Sequence, residues 1–162
     1  MPGLTTDELA AFLAEPGHLM RLGTIDRDGL PRVVPIWFQH DAGKLWFTPR
    51  AKSAWLDDLR VSPMVCCTID ESSGEMRKLV ARGTAVLEHD LGEDDVWRDR
   101  YRDIACRYTP ERFADAYIED TIEEPRALYS LRLADAETAT WRMPVRDGEN
   151  PLAVWGRQYY HR

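Results

Sequence analysis

Four side chains between residues 48 and 53 could bind a phosphate group, namely Thr48, Arg50, Lys52 and Ser53. They lie where a predicted strand ends and a predicted helix begins, so the first-turn amides of the helix are free donors with partial positive charge. Two cations and two hydroxyls around such amides suit a phosphate monoester. The alternative is that Ser53 only caps the helix and that Arg50 and Lys52 are solvated.

The elements around this corner form one run of strand, turn and helix signals from Leu22 to Asp70. Glycine-containing turns and apolar patterns predict strands at 19–26, 32–40, 45–48 and 64–70, with a helix at 53–60. The apolar run from Val33 to Phe38 predicts burial on both faces of its strand. Pro35 cannot donate to a strand ladder, so this strand is predicted to be an edge or to carry a bulge.

The rest of the chain continues the mixture of helices and strands. Thr5 and Glu8 form a capping-box pair that predicts an N-terminal helix. A strand is predicted at 77–88 and two more at 127–133 and 138–143; between them lie two helices, the second with Phe113 and Tyr117 on its buried face. Because most neighbouring strands can pair as antiparallel hairpins, we expect one α+β domain, mainly β, over residues 1–162, with a small barrel.

Composition excludes several classes of function. The 162 residues carry a net charge of −7, which argues against general binding of nucleic acid or anionic membranes. No apolar stretch approaches the roughly 20 residues of a membrane span. The N-terminal segment is not typical of a signal peptide, so we expect a cytoplasmic protein.

No metal or nucleophile motif is visible. The three cysteines form neither a disulfide framework nor a metal knuckle, and Cys66 and Cys67 should face opposite sides of one strand. The four histidines share no ligand spacing, so no metal site is predicted. There is no Ser-His-Asp arrangement and no glycine-rich nucleotide loop.

The order of motifs resembles a known family. Residues 31–38 read PRVVPIWF, the next strand ends in Phe47-Thr48, and the basic corner is followed by a Leu-x-x-x-Pro segment at 59–63. This order resembles the pyridoxamine 5'-phosphate oxidase-related family of flavin and deazaflavin split barrels over about residues 19–90. The closing stretch, with 77–78, 92–95, Trp97 and 140–144, resembles a particular subgroup.

The resemblance implies a split barrel of six or seven strands with flanking helices, forming a homodimer with two cofactor sites at the subunit interface. It implies an oxidoreductase that transfers hydride between a bound cofactor and an unidentified small molecule. The cofactor would be FMN or the deazaflavin coenzyme F-420, with FMN favoured. The ring would lie along the backbone of residues 34–37, and Thr48, Arg50, Lys52 and Ser53 would hold the phosphate.

The full cofactor-binding set that the resemblance implies adds neighbours of these groups and residues near the subunit interface. It comprises Arg32, Val33, Val34, Pro35, Ile36, Trp37, Thr48, Arg50, Lys52, Ser53, Trp55, Lys78 and Trp141. Trp55 falls where many relatives carry a phosphate-binding lysine, so either Lys52 substitutes for that lysine or the phosphate pocket is weaker. Arg77 and Lys78 either face the partner's cofactor or the substrate or are exposed charges, whereas Trp141 and Arg142 either close the site or pack in the core.

Two alternatives to an oxidoreductase stay open. One is a non-catalytic carrier of flavin, deazaflavin or haem, in which His40 or His89 would matter for haem. The other is a structural dimer that binds no cofactor. The C-terminal tail, with Trp155 and Arg157, either forms a lid over the ring or docks on the partner subunit.

Overall fold

A computed structural model describes residues 1–150 of the chain. Its four helices are α1 (Thr6–Ala14), α2 (Ala54–Val61), α3 (Asp94–Cys106) and α4 (Glu111–Asp120). Its nine strands are β1 (Met20–Ile25), β2 (Pro31–Ile36), β3 (Gln39–Asp41), β4 (Lys44–Phe47), β5 (Met64–Asp70), β6 (Lys78–Thr84), β7 (Val86–His89), β8 (Leu128–Arg132) and β9 (Glu137–Trp141). The mixed α+β class is as predicted.

The strands form two sheets, one of five strands and one of four. One sheet has the order β2-β1-β5-β6-β9 and the other has the order β3-β4-β8-β7, with antiparallel pairing throughout. Each of the two long predicted strands is broken, since β2 continues into β3 and β6 into β7 in the other sheet. If each broken strand is counted once, the nine strands become the seven that the split barrel requires.

The space between the sheets is filled by apolar side chains. Leu22, Leu45 and Ile69 are fully buried there, and Phe12 and Leu13 of α1 close one end. Strand β5 alternates as predicted, because its odd-numbered residues point inward and its even-numbered residues point outward. Burial raises the pKa of the inward Cys67 thiol to about 12, so this cysteine is a core residue.

Two burial predictions are wrong. Val33 is 66% exposed because β2 is the edge strand of the five-stranded sheet, and no described residue covers its outer face. The edge position that Pro35 predicted is therefore confirmed, whereas burial on both faces is not. Phe113 is 53% exposed because α4 packs through Ala114 and Ile118 instead.

Helix α2 is fixed to the five-stranded sheet by one buried carboxylate. The Oδ2 atom of Asp58 accepts hydrogen bonds from Thr24 Oγ1 at 2.7 Å and from Arg32 Nε at 2.8 Å. Both Asp58 and Thr24 are buried, so these bonds also satisfy groups that would otherwise be costly to bury. Asp58 thereby sets the position of the helix that follows the basic corner.

Within residues 1–150, no helix has both the length and the apolar character that a membrane span needs.

Replacing Asp58 by alanine should lower the free energy of unfolding by about 1–3 kcal/mol, because Thr24 loses its buried acceptor and Arg32 its ion pair. Asp57→Ala is the matched control: this exposed neighbour lies on the same helix and should change stability by less than about 0.5 kcal/mol. Urea denaturation of both variants measures the difference. Equal stabilities of the two variants would contradict the anchoring role of Asp58.

Candidate functional site

A cavity of about 360 Å³ lies between the end of β2, the start of α2 and the helices α3 and α4. Seven of the residues singled out from the sequence line it: Pro35, Ile36, Trp37, Thr48, Arg50, Ser53 and Trp55. Four further lining residues were not predicted as site residues: Leu19, Tyr101, Tyr117 and Arg126. The strand end and the basic corner, which are well separated in sequence, therefore face one space.

Ser53 is the N-cap residue of α2, but its hydroxyl makes no capping hydrogen bond. Its backbone is extended, and its amide donates to the Arg50 carbonyl at 2.9 Å. The interpretation that Ser53 merely caps the helix is therefore not what the structure shows. The Ser53 hydroxyl and Thr48 line the cavity at the start of α2, where the partial positive charge of the helix N-terminus favours an anion, although the Leu56 amide already donates to the Ser53 carbonyl at 2.9 Å.

Arg50 and Lys52 have different surroundings. The Arg50 guanidinium donates to the Tyr117 hydroxyl and lies 3.1 Å from Glu124 Oε2, so it is held against the cavity wall. The Lys52 side chain is 65% exposed, donates to Glu124 Oε1 at 2.6 Å and does not line the cavity. Hydrogen bonding from Lys52 and the charge of Arg50 hold the pKa of Glu124 below its usual value. Lys52 thus pairs with a carboxylate outside the cavity.

Arg126 is the second cation of the cavity. The backbone of Arg126 pairs with that of Arg50 in an antiparallel bridge, and only 5% of the surface of Arg126 is exposed. Its guanidinium lies 4.3 Å from the centre of the Tyr101 ring, and one nitrogen donates to the Tyr117 hydroxyl at 3.3 Å. The Asp94 carboxylate accepts from the Arg126 backbone amide, at 2.8 Å, and not from its side chain.

Tyr117 joins the two cations. Its hydroxyl oxygen accepts from both Arg50 and Arg126, so its own hydrogen is left to point elsewhere. Burial opposes ionisation of this phenol, but the Tyr101 hydroxyl and the charges of the two arginines outweigh burial and lower the pKa of Tyr117. In contrast, burial raises the pKa of Tyr101.

An aromatic wall completes the cavity. The Trp37 ring stacks on Tyr108 with centroids 5.1 Å apart and meets Tyr117 edge-on at 5.9 Å. Trp55 packs into the core beside Phe47 and also lines the cavity, so this helix position presents an apolar surface. A flat ring bearing a phosphate fits this donor set, because aromatic faces and anion donors occur together.

Several other predicted site residues lie away from the cavity. Arg32 is bound to Asp58, Val33 is exposed on the outer face of β2, and Val34 packs against the core. Lys78 and Trp141 are register partners at the opposite edge of the sheet, where the Lys78 ammonium lies 4.7 Å from the Trp141 ring centre. Any contact of these residues with a cofactor would have to come from another copy of the chain.

Arg77 and Arg142 are committed to ion pairs. Arg77 binds both Glu15 and Glu71 at 2.6–3.0 Å, and Arg142 binds Glu149 at 2.7 and 2.8 Å. Arg77 is therefore neither a solvated charge nor free for a substrate. The predicted lid residues Trp155 and Arg157 lie outside the described residues.

One group of metal-type ligands occurs among residues 1–150, formed by Glu15, His18 and Glu71. The Arg77 guanidinium already neutralises both carboxylates, so this group is an ion-pair network. Neither His40 nor His89 lines the cavity, and the described part of its lining contains no histidine, cysteine or methionine. The lining therefore offers no typical haem ligand except tyrosine.

Sequence reasoning missed Arg126, Tyr101 and Tyr117 as site residues for two reasons. The tyrosines follow helical spacing, which is a typical core signal, and they do contribute to packing. Arg126 stands alone before β8, with no local pattern that marks it as a ligand-binding residue. Its role depends on the strand pairing that brings it beside Arg50.

The lowered pKa of Tyr117 can be measured by alkaline titration of tyrosine absorbance. Tyr117→Phe should remove a tyrosine that ionises below the ordinary pH range, because the phenolate is stabilised by Arg50 and Arg126. The control Tyr129→Phe should remove a late-ionising tyrosine, since burial raises the pKa of Tyr129. If the early step persists in Tyr117→Phe, the assignment is wrong.

Comparisons with known proteins identify the family of the chain. Residues 5–129 match the family model described as pyridoxamine 5'-phosphate oxidase. No curated protein sequence matches the chain.

Solved structures share the fold at low sequence identity. The conserved hypothetical protein Rv2991 from Mycobacterium tuberculosis is 21% identical, with a TM-score of 0.66 over 86% of this chain and 85% of that one. The haem storage protein HutZ from Vibrio cholerae is 16% identical, with a TM-score of 0.63 over 85% and 94%. An F-420 reductase is 23% identical, with a TM-score of 0.55 over 77% and 93%. The chain has the predicted split-barrel fold and belongs to the pyridoxamine 5'-phosphate oxidase family.

Proposed function

We propose that the cavity binds a phosphorylated flavin-type cofactor, FMN or a deazaflavin, and that the protein is an oxidoreductase acting on a small molecule. The observation that carries this proposal is the convergence of seven predicted residues on one cavity. Cations, hydroxyls and aromatic rings line that cavity together.

Different lining residues would bind the phosphate and the ring of the cofactor. Arg50, Thr48 and Ser53 would hold the phosphate at the start of α2, while the strand end at 35–37 and Trp55 would contact the ring. When bound, such a cofactor supplies the hydride chemistry itself, so the protein has to bind, orient and exclude water. This division explains why no general-base constellation is required. A volume of about 360 Å³ is at the small end of ligand pockets, consistent with a site completed by a second subunit.

The names of similar structures include both an F-420 reductase and a haem storage protein. The donor set supports the flavin side of this range, because two guanidinium groups and four hydroxyls line the cavity and none of the lining residues within 1–150 is a histidine. A carrier function without turnover would use the same binding residues. Cofactor binding is therefore expected for both functions, and only an assay of hydride transfer by the loaded protein separates an oxidoreductase from a carrier.

FMN should bind more tightly than riboflavin, since only FMN carries the phosphate. Arg50→Met should weaken FMN binding by about tenfold or more, equivalent to roughly 1.4 kcal/mol, and leave riboflavin binding nearly unchanged. Lys52→Met is the matched control and should have a much smaller effect, because Lys52 is exposed and paired with Glu124. Quenching of flavin fluorescence measures all the affinities.

If the wild type binds FMN and riboflavin with equal affinity, the proposed phosphate-binding role of Thr48, Arg50 and Ser53 is wrong. Visible absorption of the purified protein adds a second measurement. A flavin band supports the proposal, and a Soret band after addition of haem, without flavin binding, supports the haem carrier instead.

We also propose that two copies of the chain associate through the outer face of the five-stranded sheet. Strand register places Ile25, Val33 and Met64 on that face, and these side chains are 41%, 66% and 52% exposed. Neighbouring exposed apolar side chains are typical of a protein contact. The adjacent edge of this sheet ends at the cavity, so a second subunit on this face would lie near the cofactor.

Val33→Glu combined with Met64→Glu should convert a dimer into a monomer, because two charges per subunit would be buried without partners. Sedimentation equilibrium measures the mass. Phe113→Glu is the control, since Phe113 is exposed to a similar degree on α4. A wild-type protein that is already monomeric, or a double variant that stays dimeric, contradicts this interface.

A further inference from the structure

Arg126 is a buried cation that forms no direct ion pair with a described carboxylate, although its charge contributes to the lowered pKa of Glu124. Only 5% of its surface is exposed, and no carboxylate in the described part of the chain forms an ion pair with its guanidinium. Burying a charge without a directly paired partner is destabilising, so an anion that binds beside Arg126 would be stabilised by it. The contacts that do exist are the Tyr101 ring and one hydrogen bond to Tyr117. A guanidinium has five N–H donors, so most of its donor capacity is unused by the protein.

The unused donors belong to a cavity whose lining is positively charged. Arg50 and Arg126 line it, and among residues 1–150 none of the lining residues is acidic. Glu124 does touch Arg50, but this carboxylate is shared with Lys52. Because both guanidinium groups converge on the Tyr117 hydroxyl, they are close enough to act on one ligand group. Two cations therefore face one anion position.

We propose that Arg126 is a second phosphate-binding residue and that, together with Arg50, it makes the site select a phosphate monoester over a phosphodiester. A monoester carries close to two negative charges at neutral pH, since its second pKa is about 6. A diester carries only one. Two guanidinium groups without a lining carboxylate complement the doubly charged group.

The selection of a monoester deepens the proposed function, on which the identity of the ring depends. It favours FMN, a monoester, over a cofactor whose phosphate is esterified twice. It also gives Trp55 a consistent explanation: the cation that Trp55 does not provide is supplied by Arg126, which lines the same cavity.

The test compares FMN, the monomethyl ester of FMN and riboflavin, which share one ring and carry about two, one and no phosphate charges. We expect the wild type to bind FMN about tenfold or more tightly than the methyl ester. Arg126→Met should reduce this ratio to near one and leave riboflavin binding unchanged. Arg132→Met, an exposed arginine on β8, should behave as the wild type. A wild-type ratio preserved in Arg126→Met would overturn the proposal.

Two further measurements keep the test decisive. Arg126→Lys retains the charge and should retain part of the monoester preference, and thermal unfolding shows whether each variant is folded.

If the wild type binds no flavin, the proposed function fails, and phenyl phosphate and methyl phenyl phosphate are compared by isothermal titration. A preference for the monoester that Arg126→Met removes supports the anion site on its own, and the absence of a preference overturns it.

Discussion

The site depends on one antiparallel backbone bridge, between Arg50 and Arg126. It extends the pairing of β4 with β8 past the ends of both strands, with hydrogen bonds from the Ala51 amide to Pro125 and from the Ala127 amide to Pro49. Directly opposed residues in an antiparallel pair place their side chains on the same face. Consequently two guanidinium groups from distant parts of the chain meet at one cavity.

The contrast between Arg126 and Arg77 shows how a residue's surroundings decide its role. Arg77 contacts two carboxylates, which satisfy its charge and most of its donors. Arg126 is more deeply buried and has an aromatic ring and a hydroxyl in place of carboxylates. Of the two, only Arg126 gains substantially from an anion arriving from outside the chain.

Local signals in the sequence predicted local features of the fold well. The capping box at Thr5 and Glu8, the alternation of β5 and the strand-to-helix corner all depend on residues close in sequence. The breaks between β2 and β3 and between β6 and β7 were missed, because an apolar strand keeps its pattern when it passes from one sheet to another. The exposure of Val33 was missed for a related reason, since nothing in a strand's own sequence shows whether another layer covers it.

The same limit applies to the site. Residues 35–37 and 48–55 could be recognised because they form contiguous motifs, whereas Arg126 becomes a site residue only through pairing across 76 positions. Lys52 differs from Arg50 in its surroundings. Its position beside Arg50 predicts a shared role in binding phosphate, and in the structure its ammonium pairs with Glu124, from the loop after α4, outside the cavity.

Trp37 gives the helical layer an influence on binding. Trp37 directly follows β2, and its ring stacks on Tyr108, just after the C-terminal end of α3, and contacts Tyr117 of α4 edge-on. A ligand in the cavity and the docking of the two helices therefore depend on the same contacts, and their free energies are thermodynamically linked. Substitutions on the far side of α3 or α4 can then change the affinity for a ligand that they do not contact. The phosphate-binding residues of the barrel can therefore stay the same while the helices vary in sequence.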